Sequence, residues 1–161
     1  MKPKIKKILV ALDYDPTAQK VAEEGFSLAR AVNAQLLLLH VISELTYYST
    51  DEHITIMGFA GYQDVIAIQN NNDGLIEESQ NFLEKTKQHL GDDSIQTAVE
   101  EGDVAESILK IAGEQHVDII VMGSHSRRWL EKIIMGSVTE KVLNQTSIPM
   151  FIVPTKKQVK S

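Results

Sequence analysis

The sequence predicts an α/β fold built on a parallel β-sheet. Three observations carry that reading. Short unbroken apolar runs recur along the chain, as strands buried on both faces require. Helical stripes of apolar and small residues separate them. Turn and helix-start chemistry follows several of these runs. Strands alternating with helices give a sheet covered by helices on its faces.

Ile8-Leu-Val-Ala-Leu12 is the first run, and it ends in Asp13-Tyr-Asp-Pro16. Asp15 is expected to cap a helix with Pro16 at its first position. Ala18, Val21, Ala22, Gly25, Phe26, Ala29 and Val32 form one face of that helix. Gln35-Leu-Leu-Leu-Leu-His-Val-Ile42 is the second strand, completing a right-handed βαβ unit. Residues 43–61 are irregular. Their aromatic character, with Tyr47, Tyr48 and Phe59 followed by Tyr62, reads as a cover for apolar surface, with a lid or partner contact as the sharper alternative. From Val65 to Leu90 a helical phase runs through Ile68, Asn72, Leu75, Ile76, Ser79, Phe82, Leu83 and Thr86. One long helix is expected, a break at Asn70 to Gly74 being the alternative. Gly91-Asp-Asp is a turn, and Ser94 to Glu100 reads as the third strand, ended by Gly102. Asp103-Val-Ala-Glu106 has capping-box spacing and opens a helix with a face at Val104, Ile108, Ile111 and Ala112. Val117 to Met122 is the fourth strand, and Pro149-Met-Phe-Ile-Val-Pro154 a short fifth. The basic tail from Thr155 to Ser161 is expected to fray.

Composition narrows the function. A chain of 161 residues, 43% hydrophobic and 24% charged, suits a single domain spanning residues 1–161 with a sizeable core. A net charge of −6 argues against a general nucleic-acid binder. There is no cysteine, hence no disulfide framework or thiol chemistry, which fits a cytoplasmic protein. The basic N-terminus leads into an apolar run too short for a signal sequence, and no run reaches the roughly 18 residues of a membrane span.

Val121 to Glu140 carries the chemistry. A strand tail enters Gly123, then a polar and basic loop, then Gly136-Ser137 and the helix start Val138-Thr-Glu-Lys. Ser137 and Glu140 have capping-box spacing. N–H groups at such a helix start, with the positive end of the dipole behind them, receive phosphate readily. The spacing Gly123-x2-Ser126-x9-Gly136-Ser137 resembles the nucleotide-binding motif of the universal stress protein family, G-x2-G-x9-G-[S/T]. Two of its three glycines and its terminal serine match, and Ser126 replaces the second glycine. Met122-Gly-Ser-His125 and Gly136-Ser-Val-Thr-Glu-Lys-Val-Leu143 also resemble that family, and the likeness covers nearly the whole chain.

The resemblance implies a three-layer, Rossmann-like open sandwich of the adenine nucleotide alpha hydrolase-like kind, with five parallel strands in the order 3-2-1-4-5. Ligands in such sheets bind at the strands' carboxyl ends, around the point where strand order reverses. The resemblance places Asp13 near the adenosine and Val41 near the base, with Ala11, Leu12 and Met122 as core residues that also wall the pocket. Gly123, His125, Ser126, Gly136, Ser137, Val138 and Thr139 belong to the phosphate loop. Arg127 and Arg128 lie between its glycines and match phosphate geometry. The implied ligand is ATP or another adenine nucleotide, and a magnesium ion would arrive with its phosphates.

No catalytic residue is expected. Ser124 and His125 are adjacent and have no third group to orient them. The five histidines, His40, His53, His89, His116 and His125, lack metal-ligand spacing. Three functions compete. The first is a cytoplasmic adenine-nucleotide binding protein in stress response or signalling, without enzymatic activity. The second is a dimeric interaction module that has lost nucleotide binding, which Ser126 favours. The third, an ATP-using transferase, lacks a second substrate site and a general base. A homodimer through the Pro149–Pro154 strand is expected, because apolar sheet edges invite pairing. No membrane or nucleic-acid partner is expected.

Overall fold

The computed structural model describes residues 4–14, 16–43, 72–124 and 136–155. Within them β1 (Lys7–Leu12), α1 (Ala18–Val32), β2 (Gln35–Ile42), α2 (Asn72–Leu90), β3 (Gln96–Glu101), α3 (Val104–Glu114), β4 (Ile119–Gly123), α4 (Ser137–Gln145) and β5 (Met150–Val153) follow in order. The strands form one sheet in the order β3-β2-β1-β4-β5, and every pairing is parallel. Both features match the sequence expectation.

β1 lies at the centre. Leu9 sits between Leu37 of β2 and Ile120 of β4, and Val10 between Leu38 and Val121. Ile8, Leu9 and Val10 have no exposed surface. The unbroken apolar runs divide by pleat. Ile8, Val10, Leu36, Leu38 and Val121 face a core shared with α1 and α2. Leu9, Leu37, Leu39, Ile120 and Met122 face a second core shared with α3 and α4. Each fully buried aliphatic side chain contributes about 1.5–3 kcal/mol of transfer free energy. The outer strand β3 is only half-buried along most of its length, in keeping with its weaker pattern.

Helix α1 buries the expected face, Ala18, Val21, Ala22, Gly25 and Ala29, with Phe26 and Val32 packed at its margins. Its start differs from expectation. Thr17 occupies the N-cap position, and its carbonyl accepts the Val21 N–H at 3.2 Å. Thr17 has near-helical dihedrals, so the chain enters the helix through a turn, and Pro16 lies ahead of the first helical residue. Asp15, the expected cap, lies outside the described residues, as do residues 44–71 with their aromatic cluster and the upstream part of the expected long helix.

The described part of that helix, α2, buries Leu75, Ser79, Phe82, Leu83 and Thr86. Ser79 is a polar residue on this buried stripe because Tyr14 meets it, hydroxyl to hydroxyl, at 2.6 Å. The Tyr14 ring packs against His40 and edge-on to Phe82. Burial pushes the Tyr14 hydroxyl up to about 12, against the opposing effect of the Ser79 bond. The third strand begins at Gln96 rather than Ser94. The Ser94 N–H and hydroxyl both donate to the Asp92 carboxylate, at 2.9 and 2.6 Å, which holds Ser94 in the preceding turn. Asp118 fixes the start of β1 beside the start of β4 by accepting the backbone N–H groups of Lys6 and Lys7.

Gly25 is the place where α1 comes closest to the sheet. A Cβ there would collide with the Val10 side chain at the centre of β1. Gly25→Val should therefore destabilise the fold by about 1–3 kcal/mol through overpacking. Urea denaturation would read this as a lower midpoint at an unchanged slope.

Candidate functional site

In this sheet the strand order reverses beside β1, which has β2 on one side and β4 on the other. Just beyond the carboxyl ends of these strands lies a cavity of about 190 Å³. Its walls include Ala11, Leu12 and Asp13 from the end of β1, Val41 from β2, and Met122 and Gly123 from β4. Ser137, Val138 and Thr139, the first turn of α4, close it. These nine expected residues are thus brought together around one space. Gly136 stands directly before them as the N-cap of α4. His125, Ser126, Arg127 and Arg128 lie outside the described residues.

The cavity is mainly apolar on its deep side. Ala11, Leu39, Val41 and Met122 come from the sheet face that packs on α3, and Ile108 of α3 lies opposite. Ala11 pairs in register with Leu39 and is the smallest side chain of β1, which leaves room at this end of the sheet. Asp13 and Ser43 supply polar groups at the strand ends. His40 also lines the cavity, and its Nδ1 lies 2.8 Å from the Leu12 carbonyl.

The start of α4 is held by the end of β4. The Thr139 hydroxyl donates to the Gly123 carbonyl at 2.9 Å. The Gly136 N–H donates to the Ser124 carbonyl at 2.6 Å. The first intrahelical bond runs from the Glu140 N–H to the Gly136 carbonyl at 2.9 Å. Gly136 therefore takes the N-cap position expected for Ser137, and the Ser137–Glu140 capping box does not form. The helix register begins one residue earlier, and Ser137 becomes the first helical residue, with its side chain exposed. Gly136 has φ −56°, open to any residue, so a side chain there would change clearance rather than backbone freedom. First-turn N–H groups have no partner within their own helix. Here they belong to residues that line the cavity.

A shallower cavity of about 480 Å³ adjoins the first, and the two share Ser43, Val104, Ser137 and Val138. Val104 begins α3 as Ser137 begins α4, so two helices direct their positive ends toward one cleft. Asp103 caps α3 as expected, accepting the Glu106 N–H at 2.9 Å. It also meets Lys141 of α4 at 3.3 Å, which joins the two helix starts. The Glu106 N–H above all holds the Asp103 carboxyl below the usual carboxylate range, against the opposing effect of burial, and Lys141 adds to the lowering.

The residues that sequence reasoning missed are Thr17, Ala18 and Val21 of the α1 start, Leu39 of β2, Ser43 just beyond it, and Val104 and Ile108 of α3. Ser43 was within reach of the strand-end rule, because it follows the last residue of β2. The contributions of α1 and α3 depend on how the helices lie over the sheet.

An open parallel α/β sheet with a cleft at its reversal point, closed by a helix start, defines a class of small-ligand binding folds. The Universal stress protein family matches residues 4–154. Universal stress protein MJ0577 of Methanocaldococcus jannaschii is 33% identical over 155 residues, covering 94% of this chain and 96% of its own. Universal stress protein YxiE of Bacillus subtilis is 30% identical over 149 residues, covering 91% and 97%. The solved structure of MJ0577 superposes with a TM-score of 0.73, covering 97% of this chain and all of the other. A universal stress protein solved in complex with cAMP shares the fold, with a TM-score of 0.64 at 16% identity over 96% of this chain and 100% of that one. The chain belongs to the universal stress protein family.

Removing the α3 cap tests how far the cleft depends on it. Asp103→Ala should cost about 1 kcal/mol at neutral pH, with a range of roughly 0.5–2. The folded-state carboxyl titrates below its unfolded value. Its stabilisation is therefore present above about pH 4 and is lost as pH falls through the lower folded value. Urea unfolding at pH 7 and at pH 3 should show the wild type and variant converging in acid.

Proposed function

We propose that this protein binds an adenine nucleotide, ATP being the first candidate, in the cleft at the carboxyl ends of β1, β2 and β4. The observation that carries the reading is the junction of an apolar cavity with the first turn of α4. A base suits the walls formed by Ala11, Val41 and Met122, with Asp13 beside it. Phosphates suit the N–H groups of Ser137, Val138 and Thr139 and the positive helix end behind them. Magnesium, where used, would come with the phosphates. The cAMP complex of a structural relative supports the ligand class. In this reading the protein is a cytoplasmic component of stress response or signalling and not an enzyme. That part of the reading rests on the sequence of the phosphate loop, which offers phosphate donors but no evident residue to orient an attacking water, as hydrolysis also needs.

Ser126 supports a second reading, a dimeric interaction module without nucleotide. Titration calorimetry with ATP, ADP, AMP and cyclic AMP, with and without magnesium, separates the two. Ser126→Gly removes a side chain where the family motif has none and should tighten ATP binding by up to ~10-fold for each 1.4 kcal/mol recovered. Gly136→Val should abolish binding by blocking the approach to α4. ATP turnover in the same samples should stay well below the ~1–100 s⁻¹ of kinases. Tighter binding by the wild type than by Ser126→Gly would make the hydroxyl a ligand group. Absence of binding in both would leave the interaction module.

We also propose a homodimer that pairs through the Pro149–Pro154 strand. β5 ends the sheet, and Phe151 on it is 39% exposed. The flanking prolines limit such pairing to a short strip. Sedimentation at micromolar concentration should show a dimer, and Phe151→Glu should shift it to monomer. A wild-type monomer with and without nucleotide rules the dimer out.

A further inference from the structure

We propose that Ser124 is a positioning residue that ties the start of α4 to the segment leaving β5, so that the cleft and the sheet edge act on one another through it. The consequence for ligand affinity rests on the nucleotide reading above; the tie itself does not.

Ser124 is the first residue beyond β4, and it is half-buried. Its N–H donates to the Val153 carbonyl at 2.9 Å, extending the pairing of β4 with β5 by one step. Its carbonyl accepts the Gly136 N–H at 2.6 Å. Its hydroxyl oxygen accepts the Thr155 N–H at 3.0 Å and lies 3.3 Å from the Thr155 hydroxyl. Thr155 is buried, and the carbonyl just before it, on Pro154, accepts the Lys20 ammonium at 2.7 Å. One residue thus contacts β5, the chain beyond β5 and the N-cap of α4 with three different groups. An alanine here would keep both backbone bonds and lose only the grip on Thr155. Because that grip fixes where the Ser124 backbone sits, its loss also loosens the carbonyl that holds Gly136. The first-turn N–H groups of α4 then lose their fixed aim into the cleft. The sequence offered Ser124 only as a neighbour of His125; its bonds give it a different task.

Amide hydrogen exchange by NMR on the full chain tests this. In ligand-free Ser124→Ala the Thr155 N–H should exchange faster. The Gly136 N–H, which never touches the hydroxyl, should also accelerate, by about 2–10-fold, the change that the net worth of a hydrogen bond implies. Ser124→Thr keeps the oxygen and should restore both rates. Ser124→Cys keeps the size with only a weak acceptor and gives the same reading where the alanine variant does not fold. With ATP, exchange at Thr155 should slow in the wild type and stay unchanged in Ser124→Ala, whose affinity should fall by a similar factor. Acceleration confined to Thr155 in the ligand-free variant would overturn the proposal. A wild type that binds no ATP would sink the nucleotide reading alone, because the ligand-free rates still decide the role of Ser124.

Discussion

The burial of β1 on both faces and along both edges is the constraint on which the rest of the structure depends. Its central residues Ile8, Leu9 and Val10 are fully enclosed, paired on one side with β2 and on the other with β4. A parallel strand in that position needs helices over both faces, and α1 with α2 and α3 with α4 provide them. A slip of one residue in register would exchange the two cores, because alternate side chains point to opposite faces. The same register sets Ala11 opposite Leu39. A small side chain at that point, at the carboxyl end of β1, leaves room for the cleft. The space for a ligand is therefore a product of how the core is packed.

Polar contacts set position where apolar ones set stability. Each neutral hydrogen bond contributes only about 0.5–1.5 kcal/mol net, less than one buried leucine. Yet the bonds from Thr139 to Gly123 and from Gly136 to Ser124 decide where α4 begins. The Asp103–Lys141 pair is exposed, so it contributes little to stability. It still links the starts of two helices that face one cleft. A short helix such as α4, nine residues long, is marginal alone and takes its place from what holds its ends.

Much of this was legible in the sequence. The strands were readable because a run buried on both faces is apolar at every position, as in Leu36 to Leu39. Strand order came with the resemblance in Gly123 to Ser137 rather than with any pattern, and the sheet has that order. Element starts were less legible. Ser137 and Glu140 have capping-box spacing, but the Gly136 carbonyl took the first helical bond. Ser94 looked like strand, but the Asp92 carboxylate offered its N–H and hydroxyl a nearer partner. In both cases neighbouring groups compete for the same donor, and residue type alone does not name the winner. The strand-end residues of the cleft followed from the rule for open sheets. Val21 and Ile108 did not, because a helix stripe says which face is buried and not what the face meets at the sheet's end.

Net charge and local field point in opposite directions here, and distance decides between them. The chain carries −6 overall, which by itself disfavours an anionic ligand. At physiological ionic strength, charges on the surface are screened beyond about 8 Å. The first turns of α3 and α4 lie within that range of the cleft they line, so their dipoles govern it. Asp103, the carboxylate at the start of α3, is already engaged with the Glu106 N–H and Lys141. On the deep side the lining is largely aliphatic, and a low-polarity wall strengthens whatever electrostatic contact forms at the rim. A ligand that satisfies both parts has an apolar end and an anionic one, which sets the field of candidates more sharply than the charge of the whole chain.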